Sequence, residues 1–292
     1  MIEDFTTHRP LLFGIAYRML GRVAEADDMV QETWLRWQRQ APGEVASPRA
    51  WLVSAITRLC IDQLRSARRQ REEYYGVWLP EPLVDAAAPS PGDAAALADS
   101  LTMAFMLMLE TLAPVERAVF LLREVFDYDY TDIALIVDKT EANCRQIVRR
   151  AKAQLPSAHL DAAPSAPPSE QAQQVARQFL DATTTGDVRD LVALLTADAA
   201  LYTDGGGRVP SAGRPILTAD HVSRFFVGIR RRVTTAFAFR FVSINGRLGA
   251  LMSANGKLDR AVSFEFEGDL IRAIYIVRNP EKLRHLAPLS LS

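Results

Sequence analysis

Cysteine is scarce in this chain of 292 residues: Cys60 and Cys144 are too few for a disulfide framework or a zinc site. Long apolar runs are missing as well. The longest, Leu101 to Leu109 with one Thr inside it, falls far short of the roughly 20 residues that a bilayer-spanning helix needs. The N-terminus, Met1-Ile2-Glu3-Asp4, lacks the basic-then-apolar order of a signal peptide, so a cytoplasmic protein with no membrane partner is expected. Proline and glycine together supply only 31 residues, which excludes collagen-like and extended low-complexity chains. Net charge is also nearly absent, at −1.

That near-neutral total hides segregation. Residues 1–161 carry 18 Lys and Arg against 23 Asp and Glu, whereas residues 162–292 carry 16 against 12. Within the acidic half, residues 58–71 hold five Arg against Asp62, and residues 139–152 hold five Lys and Arg against Glu141. Local basic patches of this kind are either solvated helix faces or nucleic-acid contacts.

The length accommodates two or three domains. Residues 76–93 are rich in Pro with two Gly, and residues 156–169 are rich in Pro, Ala and Ser, so both are expected to be linkers. Blocks 1–75 and 94–155 show helical periodicity throughout. Block 170–292 opens with a helical pattern from Glu170 to Leu195 and passes the loop Asp204-Gly205-Gly206-Gly207-Arg208. Four β-rich segments follow: Thr235 to Ile244, Leu248 to Ala254, Leu258 to Glu267 and Leu270 to Val277. Asn245-Gly246, Asn255-Gly256 and Gly268-Asp269 separate them, which predicts an antiparallel meander with helices on one face.

In the first block Val23, Val30, Trp34 and Trp37 share one helical stripe, while Asp27, Asp28, Gln31 and Glu32 project elsewhere. The carboxylates form either a solvated face or a docking surface for a basic partner helix. Ser47-Pro48 starts the next helix, whose apolar stripe is Leu52, Ile56, Leu59, Cys60 and Leu64. Arg58, Arg65 and Arg69, with Arg68 alongside, occupy another face at a spacing that follows a phosphate backbone.

In the second block a helix from Ala113-Pro114 to about Phe126 precedes a short helix capped by Asp129 or Thr131. After a break at Asp138-Lys139, Thr140 caps a further helix with Cys144, Ile147, Val148, Ala151 and Leu155 on its buried stripe. Its opposite face presents Asn143, Arg145, Gln146, Arg149, Arg150 and Lys152, side chains that read base edges and phosphates. The pattern suits a helix-turn-helix, and equally a plain helical bundle. Both cysteines lie on apolar stripes and are expected to be structural.

Three segments, Arg9 to Trp37, Ser47 to Glu73 and Leu112 to Leu155, closely resemble the two conserved regions of extracytoplasmic-function (ECF) sigma factors. The linker Trp78-Leu79-Pro80-Glu81-Pro82, the loop Asp204-Gly205-Gly206-Gly207-Arg208 and the tail Asn279-Pro280-Glu281-Lys282-Leu283 are similar to the signatures of the ECF subgroup with a fused SnoaL-like domain. The resemblance implies a multidomain chain of two all-α sigma domains, region 2 over 1–75 and a region 4 helix-turn-helix over 94–155, then an α+β SnoaL-like cone with an antiparallel sheet over 170–292. It implies that Asp27, Asp28, Gln31 and Glu32 dock on core RNA polymerase. Arg58, Arg65, Arg68 and Arg69 would act at the minus-ten promoter element, and the last helix of the second block at the minus-thirty-five element. Trp51, Tyr74 and Tyr75 near the basic helix are either stacking aromatics for melted bases or packing. Family members usually carry Gly where Asp138 stands, and Asp adopts the left-handed conformation less readily than Gly but more readily than most residues.

For the third block the resemblance brings an enzyme alternative. The acid/base candidates Asp204, Asp220, His221 and Tyr202 show no catalytic spacing, so no enzyme, cofactor or metal site is expected. The domain is expected to regulate the sigma domains in place of a separate anti-sigma protein. A small ligand of unknown identity in its pocket stays open. Exposed Trp78 and Leu79 would be costly in a free linker, so the loop at Asp204 and the segment from Asn279, with Lys282 and Leu283 reaching Leu79 and Glu81, are expected to cover them. Arg230-Arg231-Arg232 is read as solvated or as facing the acidic half.

Overall fold

The computed structural model describes residues 2–41, 45–72, 74, 76–84, 101–155, 169–185, 187–232, 235 and 237–289. They form two compact units, the first drawn from residues 1–73 and 104–163 and the second from 74–103 and 164–292. The segment following the basic helix thus belongs with the C-terminal half.

The first unit contains α1 (Ile2–Leu20), α2 (Val23–Trp37), α3 (Pro48–Glu72), α4 (Met103–Leu109), α5 (Pro114–Glu124), α6 (Tyr130–Val137) and α7 (Glu141–Gln154). Gly21 ends α1 at φ 70°, a left-handed position that glycine adopts without strain. Ser47 Oγ accepts from the Ala50 amide at 3.3 Å and so caps α3. Leu12, Ile15 and Leu20 of α1, Val30 of α2 and Leu52, Ile56 and Leu64 of α3 are buried as one core. Arg117 fastens α5 to the end of α1. Its guanidinium, only 4% exposed, donates to the Met19 carbonyl at 2.7 Å and to Glu110 Oε1 at 2.8 Å.

The second unit runs α8 (Glu170–Thr185), α9 (Val188–Val192), β1 (Leu195–Asp204), β2 (Ile216–Leu217), α10 (Ala219–Arg230), β3 (Phe237–Ile244), β4 (Arg247–Ala254), β5 (Lys257–Glu267), β6 (Leu270–Val277) and α11 (Pro280–Leu283), then a 3₁₀ turn. The sheet order is β2-β1-β6-β5-β4-β3. Asn245-Gly246 and Asn255-Gly256 hold φ at 52° and 75° and at 51° and 73°, the double left-handed geometry of tight hairpins. Phe179 of α8 meets Phe226 of α10 and Phe264 of β5 edge-on, at 5.3 and 6.1 Å between centroids, and so seats the helices in the sheet.

The sheet is larger than the predicted four-stranded meander. Leu195–Asp204 forms β1, which lies parallel to β6, and the helical pattern expected as far as Leu195 breaks near Asp187, whose carboxylate caps α9 at Arg189. A parallel partner some 70 residues onward leaves no hairpin signal in the sequence. Among the described residues no helix is long and apolar enough to cross a membrane, and no cluster of His, Cys, Asp and Glu could hold a metal ion.

Candidate nucleic-acid interface and linker clasp

Helix α2 buries Ala26, Val30, Thr33 and Trp37, with Trp34 half-buried against Phe5 at 4.8 Å. Its acidic face is outward. Asp28 and Gln31 are exposed and unpaired among the described residues. Asp27 meets Arg9 at 3.4 Å and Glu32 meets Arg36 at 2.9 Å. Surface pairs of this kind are worth well under about 1 kcal/mol and yield readily to a partner. Trp51 packs on Trp37 at 5.2 Å, which favours packing over base stacking.

The basic face of α3 is partly engaged. Arg58 Nε donates to the Ile136 carbonyl and its Nη2 to the Leu135 carbonyl, both at 2.8 Å, so the guanidinium caps the C-terminus of α6. Carbonyls at a helix end lack intrahelical donors and carry the negative end of the dipole, which suits a cation. Arg65 pairs loosely with Asp62 at 3.4 Å. The side chains of Arg68 and Arg69, and Tyr75, lie outside the described residues.

Helices α6 and α7 form the helix-turn-helix hairpin. Asp138 turns it in the left-handed conformation, φ 54° and ψ 57°, and the Lys139 amide returns to the Ala134 carbonyl at 3.0 Å. Aspartate therefore does the work of the expected glycine. Thr140 Oγ1 caps α7 at the Asn143 amide, while Thr131 Oγ1 donates to Glu141 Oε1 at 2.9 Å and stitches the two helices together. Asn143, Gln146 and Arg149 are exposed, and among the described residues their side chains make no hydrogen bond or ion pair. Arg145 is oriented by Glu141 at 2.7 Å and by the Tyr130 ring, 4.9 Å from its guanidinium carbon. Arg150 and Lys152 pair with Glu116 and Glu124 of α5, at 3.2 and 2.6 Å. Sequence reasoning missed Tyr130, Glu116 and Glu124. Only the Glu141–Arg145 spacing of four residues was legible as a local pair.

The second unit holds its own cluster. Leu79, Pro80, Glu81 and Pro82 are buried. Asp204, 0% exposed, receives four donors: the Tyr74 hydroxyl at 2.5 Å and the Gly206 amide at 3.0 Å on Oδ1, the Leu79 amide at 2.9 Å and Lys282 Nζ at 2.7 Å on Oδ2. Lys282 Nζ donates also to the Leu79 carbonyl at 2.5 Å and stands 4.2 Å from the Trp78 ring centre. A buried ion pair persists only when its remaining lone pairs and protons are satisfied, and this one has that company. Asn279 Nδ2 donates to Tyr74, and a Cβ on Gly206, whose φ is 61°, would fall 2.2 Å from that nitrogen. Close approach thus requires glycine. Around this centre Arg208 pairs with Glu281 at 2.5 Å, His285 Nε2 lies 2.8 Å from the Pro82 carbonyl, and Leu283 is buried. Buried Asn245 exchanges bonds with both Leu83 backbone groups and adds one to the Leu101 carbonyl, contacts that sequence reasoning missed.

The four acid/base candidates are not assembled. Asp204 is consumed by the clasp, Asp220 pairs with Arg224 at 2.7 Å, His221 Nδ1 lies 3.1 Å from Thr218 Oγ1, and Tyr202 stacks on Tyr275 at 5.1 Å. Arg230 donates to the Thr184 carbonyl at 2.8 Å, while Arg231 and Arg232 are exposed.

Residues 5–70 match Sigma-70 region 2 and residues 102–155 match Sigma-70, region 4. The ECF RNA polymerase sigma factor SigJ of Mycobacterium tuberculosis (strain ATCC 25618 / H37Rv) is 34% identical, over 96% of this chain and 92% of its own. The probable ECF RNA polymerase sigma factor SigI of Mycobacterium tuberculosis (strain CDC 1551 / Oshkosh) is 30% identical, over 94% and 92%. Among solved structures, that of the Mycobacterium tuberculosis extracytoplasmic function sigma factor SigJ matches with a TM-score of 0.75 at 30% identity, over 97% of this chain and 98% of that one.

Proposed function

Because this chain belongs to the ECF RNA polymerase sigma factors, we propose that it binds core polymerase in the cytoplasm, directs promoter-specific initiation, and is modulated by its own C-terminal SnoaL-like domain without need of a separate anti-sigma protein. Asp27, Asp28, Gln31 and Glu32 are assigned to polymerase docking. Arg58, Arg65, Arg68 and Arg69 are assigned to the minus-ten element. On α7, Asn143, Arg145, Gln146 and Arg149 read the minus-thirty-five element in the major groove, and Arg150 and Lys152 contact phosphates. In this reading the C-terminal domain is a regulator and not an enzyme.

The observation that carries the regulatory part is the clasp of Asp204 and Lys282 on the backbone of Leu79, inside the segment that joins the two sigma regions. A domain that grips this segment limits the arrangements open to the regions on either side of it. Such a restraint shifts activity by as much as the clasped and free states differ in their affinity for polymerase and promoter. Run-off transcription with core polymerase tests the reading: the full chain yields discrete start sites, Asp28→Lys weakens polymerase binding, and truncation at Pro156 changes the yield. Absence of discrete starts with the full chain and with the truncation refutes it.

A further inference from the structure

Inside the cone, between α8, α10 and the sheet, lies a cavity of about 290 Å³ lined by Phe179, Phe226, Phe237, Met252 and Ile274. A second lobe of about 270 Å³ shares Phe226 and Phe237 with it. The volume falls at the small end of the range for ligand pockets, and the walls are mostly apolar, as such pockets are. Arg260 of β5 lines both lobes.

The charge arrangement around Arg260 is unbalanced. Its side chain is 13% exposed, its Nε donates to Asp259 Oδ2 at 2.5 Å, and its guanidinium carbon lies 4.5 Å from the Phe237 ring centre. Asp259 is shared, because Arg278 donates to its other oxygen at 3.2 Å. Arg278 spends a further donor on the Pro210 carbonyl, and Arg230 at the rim spends one on the Thr184 carbonyl. Among the described residues two guanidinium groups, Arg260 and Arg278, therefore share the one carboxylate, Asp259, that lines the second lobe. Among the described residues the Nη1 and Nη2 groups of Arg260 make no hydrogen bond. Burial pulls the Arg260 pKa down, with Asp259 opposing the shift and Arg278 adding to it.

We propose that the cone is a receptor for a small carboxylic acid with an apolar body, its carboxylate held by the Arg260 terminal nitrogens and its body against Phe179, Phe226 and Phe237. A planar guanidinium with two adjacent free donors matches a carboxylate in bidentate geometry, and stacking on Phe237 fixes its plane. Asp259, itself fixed by Arg278, holds the guanidinium through its Nε. Amines meet the wrong charge, and neutral amides leave donors unsatisfied. Arg278 also gives the site a route to the clasp, since its backbone amide donates to the Asp204 carbonyl at 2.7 Å. The binding site itself stands whether or not the clasp regulates transcription.

Isothermal titration calorimetry on the full chain tests it, with benzoate, 4-phenylbutyrate and octanoate as probes beside their primary amides and inorganic phosphate. At least one acid is expected to bind, its amide about tenfold or more weaker. Arg260→Met is expected to weaken that acid by a similar factor, and Met252→Trp, which fills the cavity and leaves the arginine, to abolish binding. Met252→Trp and the acid-against-amide comparison keep the test decisive should Arg260→Met fold poorly. The proposal is overturned if no acid outbinds its amide, if phosphate binds as well as the acids, or if binding survives in Met252→Trp.

Discussion

Lys282 and Asp204 form an ion pair, 2.7 Å apart, in which the two side chains are 3% and 0% exposed, and both partners also bond the backbone of Leu79. Removing one member strands the other. Lys282→Met should destabilise the second unit by about 3–5 kcal/mol, whereas pairing it with Asp204→Asn should recover part of that loss. Equal unfolding free energies in denaturant for wild type and Lys282→Met would contradict the reading of the clasp.

Arg58 spends its Nε and Nη2 on the end of α6, so its proposed promoter contact competes with that cap. Arg58→Ala should raise amide hydrogen exchange at the C-terminal turn of α6, where two carbonyls lose their donor at about 1.5–3 kcal/mol for a charged hydrogen bond. It should also reduce open-complex formation. Unchanged exchange would show that the cap holds nothing in solution.

The proposed reading face of α7 is divided between groups without a polar partner among the described residues and oriented ones. Arg145→Ala or Arg149→Ala should cost about 1–3 kcal/mol at a base-reading position and relax upstream-element preference, measured by binding to promoter variants with polymerase present. Glu141→Gln should release Arg145 through loss of its 2.7 Å carboxylate partner, while the remaining amide oxygen can still accept from Thr131. An Arg149→Ala chain with unaltered sequence preference would remove Arg149 from the readers.

Cys60 and Cys144 are both 0% exposed, and burial pushes each thiol above its ordinary pKa. Thiolate is the reactive form, so both should resist an aromatic disulfide reagent in the native state and react on unfolding. Transcription that responds to oxidant in the wild type but not in a double Cys→Ser variant would contradict this.

What the sequence made legible was local in origin. The stripe of Cys144, Ile147, Val148, Ala151 and Leu155 and the dipeptides at Asn245 and Asn255 write their geometry into neighbouring residues, and the helices and hairpins formed where those patterns stood. Strand β1 escaped notice because its ladder is with β6, far along the chain. The cost of an exposed Leu79 pointed to a cover from the Asp204 loop and Lys282, but the four donors on the Asp204 carboxylate come from segments up to 130 residues away and carry no spacing to read. Arg58 shows the opposite case: its spacing suits a phosphate backbone, yet in the fold it finds helix-end carbonyls 78 residues on. Composition tells that an arginine needs a partner and not which one it finds.

Regulation of promoter use through the clasp is the central claim, and run-off transcription by core polymerase with the full chain and with a chain lacking residues 279–292 tests it most directly. The deletion removes Lys282 and Asn279 while leaving both sigma regions intact, and transcript yield from the same start sites is expected to rise several-fold. Identical yields from the two chains, with the deletion still folded, would contradict it.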